Sequence, residues 1–115
     1  MTTIIAALLV VAFAILGSAK LAAVPAMRAR AEHVGFSVGA YRRIGALELL
    51  GVAGLLAGAE LAAVGILAGA GLLLLLAGAV GTHVRNGDGP REVAPAVVLG
   101  MVTVSYLVLL IGNPS

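Results

Sequence analysis

From Thr2 to Ala19 the chain carries no charge, and past Lys20 the apolar run continues through Leu21, Ala22, Ala23 and Val24 to Pro25. A helix that crosses the hydrocarbon core of a bilayer needs roughly 20 apolar residues, so this run is long enough to span. A secretory signal is the rival reading, but no positively charged stretch precedes the run, which favours a mature first helix.

A second apolar stretch runs from Ile44 to Thr82 with Glu48 and Glu60 as its only charges. Fully helical, it would measure about 58 Å, twice the roughly 30 Å of a membrane core, so it must fold back as a hairpin. Gly58-Ala59-Glu60 is the natural turn, because glycine relaxes the backbone and Glu60 can reach water. The last run, Val93 to Ile111, is closed by Gly112-Asn113-Pro114. The pattern predicts an all-α fold in one transmembrane domain over 1–115, a four-helix bundle with spans at approximately 3–24, 41–58, 61–84 and 93–111.

Composition strengthens this reading. The chain is 62% hydrophobic and 10% charged, outside the usual balance of a soluble domain. The net charge of +2 does not point to nucleic acid, because the few basic residues flank apolar spans. Arg28, Arg30, Arg42 and Arg43 lie in or beside the first connection, and Arg85 and Arg91 in the third. The positive-inside rule puts both loops in the cytoplasm and both termini on the extracytoplasmic side. The first connection, with Met27, Ala31, Val34 and Phe36 among its polar residues, has the makings of a short interfacial helix. Cysteine is absent, which removes disulfides, thiolate nucleophiles and thiolate metal sites, and no other metal-ligand spacing occurs.

Two GxxxG arrangements, Gly54 to Gly58 and Gly65 to Gly69, allow close helix approach, within one bundle or at the seam of a homo-oligomer. The packed bundle is the simpler use. Gly87-Asp88-Gly89-Pro90 reads as a plain turn, His33 and Glu60 as solvated loop residues, and Tyr41 and Tyr106 as belt residues or the polar ends of packed helices.

An ionisable side chain within a span costs roughly 2.5–3.5 kcal/mol on insertion scales, so each needs a partner, water or a purpose. Lys20 stands about 7.5 Å before the end of the first span, Glu48 about 9 Å beyond Arg42, and His83 two residues before Arg85. Three helices thus put a base, an acid and an imidazole at similar depth, where they could converge on one pocket. Snorkelling of Lys20 and a solvated, helix-terminal His83 are the plainer readings of two of them.

Gly17-Ser18-Ala19-Lys20-Leu21, Glu48 within Ile44-Gly45-Ala46-Leu47-Glu48-Leu49-Leu50-Gly51 with Gly54-Leu55 after it, and Thr82-His83-Val84-Arg85 together resemble the DoxX-like membrane proteins over nearly the whole chain. The resemblance implies a compact four-helix bundle in a bacterial inner (plasma) membrane, with Lys20, Glu48 and His83 at the family's polar positions. Founding relatives are linked to a thiosulfate:quinone oxidoreductase and others to membrane redox complexes, while many members have no known function.

Three functions remain open. One is a pocket in the lipid bilayer that binds a small hydrophobic molecule, a quinone or isoprenoid, through Glu48, Lys20 and His83, as a binding module or beside a membrane redox partner. Another is an enzyme doing acid/base chemistry (isomerisation, cyclisation or epoxide opening) on a lipid-soluble substrate, with Glu48, His83 and Lys20 as catalytic candidates. The third is a structural or assembly protein whose polar trio locks the bundle. A transporter fits less well, since four short helices without broken segments offer little for alternating access.

Overall fold

The computed structural model describes residues 1–112, and every element among them is helical. The order is α1 (Thr2–Leu21), α2 (Pro25–His33), α3 (Val38–Ala57), α4 (Ala62–Arg85) and α5 (Pro90–Gly112). Three of these, α1, α4 and α5, are long and apolar enough to cross a membrane. The other long helix, α3, carries Arg42, Arg43 and Glu48 along its 20 residues.

Packing runs in a closed ring: α1 on α3, α3 on α4, α4 on α5, and α5 back on α1. The contacts fix antiparallel registers. Glycines on α3 and α4 make their crossing close, because a Cβ on Gly51 would come within 2.6 Å of Leu72, one on Gly54 within 2.6 Å of Ala68, and one on Gly58 within 2.7 Å of the Gly65 backbone. On the next seam a Cβ on Gly69 would meet Leu107 at 2.7 Å. Both GxxxG pairs therefore face neighbouring helices of the same chain, where missing side chains bring backbones together. Leu9, Phe13, Leu55, Leu72, Leu76, Tyr106 and Leu110 fill the centre. The outward faces carry Ile4, Leu8, Leu50, Leu67, Leu74 and Val108, apolar and exposed as lipid-facing positions must be.

Helix ends differ from the sequence expectations in instructive ways. The first helix stops at Leu21, not Val24: Ala23 N–H donates to Lys20 O and Val24 N–H to Ala19 O, with Ala23 at φ +52°. This is a Schellman stop made without its usual glycine, which is why composition did not mark it. Arg42 Nε caps the freed carbonyl of Leu21 at 3.0 Å, and Arg28 Nε that of Ala23 at 2.9 Å. The same stop ends α2 with Gly35 at φ +78° and α4 with Gly87 at φ +77°.

The first connection does form a short helix, α2, opened by Pro25 at its first turn. Next, α3 begins at Val38, three residues earlier than expected, because Ser37 Oγ accepts from Ala40 N–H as an N-cap. Gly58 to Leu61 form the α3–α4 turn where the sequence put it. The start of α5 is Pro90, not Val93: proline suits a first helical position, and Glu92 turns back to accept from Gly89 N–H at 3.1 Å. Asn113 and Pro114, expected to stop this helix, lie outside the described residues.

Candidate functional site

Tyr41, Gly45 and Glu48 are four and three residues apart on α3, so they share the face turned to α1. At its centre Gly45 makes the approach possible. A Cβ there would come within 2.7 Å of Gly17 O and of Lys20 Cβ, and within 2.8 Å of Leu21 N. Two backbones without intervening side chains thus meet at Gly17 and Gly45, and the next residue of each stripe, Lys20 and Glu48, is brought together.

Lys20 Nζ donates to Glu48 Oε1 at 2.8 Å, the two side chains being 13% and 5% exposed. The ammonium also lies 5.4 Å from the centroid of the Tyr41 ring, within cation–π range. Tyr41 is held in turn by Phe36, edge-on at 6.3 Å and 74°. Lys20 therefore turns inward to the bundle and does not snorkel. Glu48 uses one carboxylate oxygen. Every buried side-chain nitrogen or oxygen among the described residues has a partner, and Oε2 accepts no bond from protein there, so Oε2 is not sealed.

The expected trio divides. His83 makes no hydrogen bond to Glu48; its Nδ1 pairs with Asp88 Oδ2 at 2.6 Å, while Asp88 Oδ1 takes His33 Nε2 at 2.8 Å. Asn86 Nδ2 donates to Asp88 Oδ1 at 3.1 Å and to His33 O at 3.2 Å. Asp88 follows the Gly87 stop of α4, whose last bond, Asp88 N–H to His83 O, folds the chain back over His83. One carboxylate thereby ties the end of α2 to the α4–α5 turn. The His83 imidazole beside it, and then those of His33 and the Asn86 amide, hold the Asp88 carboxyl below the usual carboxylate value.

Asp88 and His33 are the residues the sequence reading missed. His33 is half-exposed as expected, yet it closes α2 and is engaged by Asp88. The signal was present in the short interval from His83 through Asn86 and Gly87 to Asp88, but only the glycine stop reveals that Asp88 returns onto the imidazole. No cluster of three or more His, Asp or Glu among the described residues is arranged to hold a metal ion.

Two of the cavities that open on the bundle are lined by none of Lys20, Glu48 and His83. One, about 710 Å³, is an apolar groove between α3 and α4 that includes Leu47, Leu50, Gly54, Leu67 and Leu75. The other, about 560 Å³, lies at the opposite end from the arginines, where Thr2, Thr3, Glu60 and Tyr106 join apolar residues of α1, α3 and α5.

No curated protein and no solved structure matches the chain. A model of the DoxX-like family matches residues 4–105, which takes in all of the Lys20–Glu48 site and His83. With that match and its long apolar helices, the chain is a multi-pass membrane protein and belongs to the DoxX-like family.

Proposed function

We propose that this protein is a membrane-embedded binding module for a small apolar molecule with a polar head, of quinone or isoprenoid type, whose head meets Lys20 and Glu48. The observation that supports this reading is the spare capacity of a buried ion pair. Glu48 Oε2 accepts nothing from the protein, and Lys20 gives one hydrogen bond although an ammonium has three protons. An ion pair in so apolar a bundle is costly, and a well-packed apolar pair of equal volume would often be as stable, so a use beyond stability is reasonable.

A ligand hydroxyl would donate to Oε2 and a carbonyl would accept from Lys20. Leu47, beside Glu48 in sequence, begins the α3–α4 groove, an apolar bed for a tail. His83, tied to Asp88, takes the part of a neighbour at the same end of the bundle. In this reading α3 is a fourth span, the arginine-bearing end faces the cytoplasm, and both termini face out across a bacterial inner membrane. A redox complex would then use the protein as its quinone-linked subunit.

A structural lock is the second reading, favoured by the same pair being closed at 2.8 Å over the Gly17–Gly45 contact. Purification of wild type and Glu48→Gln in mild detergent, with mass spectrometry of the small molecules retained, separates the two. Binding predicts a quinone or terpenoid held by wild type and lost from a folded variant. An empty wild type and an unfolded variant would leave the lock.

A further inference from the structure

The second cavity is lined by neither Lys20 nor Glu48. Tyr106 lies on α5 with 2% of its surface exposed, and its hydroxyl reaches into the space left by two glycines where α3 meets α4. A Cβ on Gly58 would come within 2.7 Å of that hydroxyl, and one on Gly65 would collide with it. Gly58, Tyr106 and the neighbouring Leu110 all line the cavity of about 560 Å³.

Among the described residues the Tyr106 hydroxyl makes no hydrogen bond, yet no sealed side-chain oxygen there lacks a partner. The hydroxyl is therefore not sealed, and Tyr106 lines the cavity. A tyrosine hydroxyl is both donor and acceptor, so one left open and unpaired can exchange a hydrogen bond with a ligand hydroxyl. The walls beyond it are apolar, with Ala6, Val10 and Leu55 among them, and Thr2, Thr3 and Glu60 stand at the polar end.

We infer that this cavity binds a small apolar molecule through a neutral hydroxyl head that exchanges a hydrogen bond with Tyr106. The volume suits a compact isoprenoid or similar amphiphile, within the range of small-molecule sites. Charge narrows the class: Glu60 is the one charged side chain lining the cavity, so a carboxylate or phosphate head is repelled and a neutral alcohol is not. The site lies at the far end of the bundle from Lys20 and Glu48 and does not depend on their role.

Farnesol and its hydrocarbon counterpart farnesene are the probes. Bound molecules per chain are counted by native mass spectrometry across a titration of the detergent-purified protein, for wild type, Tyr106→Phe, Ala7→Leu and the control Gly78→Ala, with folding checked by circular dichroism. Wild type takes farnesol saturably and prefers it to farnesene. In Tyr106→Phe farnesol weakens about five-fold, the size of one neutral hydrogen bond, while farnesene is unchanged. Ala7→Leu, which fills the cavity from the exposed side of α1, weakens both probes even if Tyr106→Phe does not fold. Gly78→Ala, where an added Cβ meets nothing within 4 Å and which lines neither cavity, leaves both unchanged. Absence of saturable binding, a Tyr106→Phe protein that still prefers farnesol as wild type does, or Ala7→Leu without effect would each overturn the inference.

Discussion

Gly45 lies so close to Gly17 that a Cβ added to it would stand 2.7 Å from the Gly17 carbonyl oxygen. This contact sets the height at which α1 and α3 cross, and with it the meeting of Lys20 and Glu48. Since both obstructing atoms on the Gly17 and Leu21 side are backbone, relief requires the helices to part.

Gly45→Ala should therefore destabilise the protein by about 1–3 kcal/mol, the usual cost of overpacking, despite alanine's better helix propensity. Gly71→Ala and Gly78→Ala, where a Cβ would meet nothing within 4 Å, should be neutral or stabilising by up to about 1 kcal/mol. Thermal unfolding of the three variants in one detergent makes the comparison; equal midpoints would remove the close crossing from the account.

Breaking the ion pair from one side leaves a buried charge. Lys20→Met and Glu48→Leu should each cost about 3–5 kcal/mol, while the double variant recovers most of the loss. A double variant as unstable as the sum of the two would show that the pair holds no mutual energy.

Ala23 sits at φ +52°, where a side chain is strained and glycine is not. Ala23→Gly should raise stability by about 1 kcal/mol, since it removes the left-handed penalty at the end of α1. The same change at Ala22, which is right-handed at φ −74°, should not. Paired unfolding curves of the two variants decide it.

Asp88 gives a pH dependence with a definite sign. Its carboxyl is held below the ordinary 3.8 by hydrogen bonds from His83, His33 and Asn86, so the folded state prefers the ionised form. The stabilisation is complete above the ordinary value and disappears as pH falls through the lowered one. The stability difference between wild type and Asp88→Asn should accordingly be constant near neutrality and shrink only below about pH 4, within the range set by that reference value. A difference that already closes between pH 7 and 5 would assign it to another group.

Much of this was determined along the chain alone. The three long apolar runs, the Gly58–Glu60 turn, the arginine-bearing connections and the isolated charges Lys20 and Glu48 beside or within those runs follow from hydropathy along the chain, which is a local property. The motifs around Lys20, Glu48 and His83 also carried the family, which the match over residues 4–105 shows.

Tertiary structure decided the pairings. Depth in the membrane is a one-dimensional quantity and placed Lys20, Glu48 and His83 at similar heights, but the helix face on which each stands depends on registers that only packed backbones set. Gly17 against Gly45 turned Lys20 to Glu48, while the left-handed Gly87 swung Asp88 onto His83 and out to His33. Tyr106 shows the same limit: the sequence reads it as a belt residue or the polar end of a packed helix, and only the gap shared by Gly58 and Gly65, far apart from it in the chain, seats its hydroxyl where α3 meets α4, in a side chain that lines a cavity.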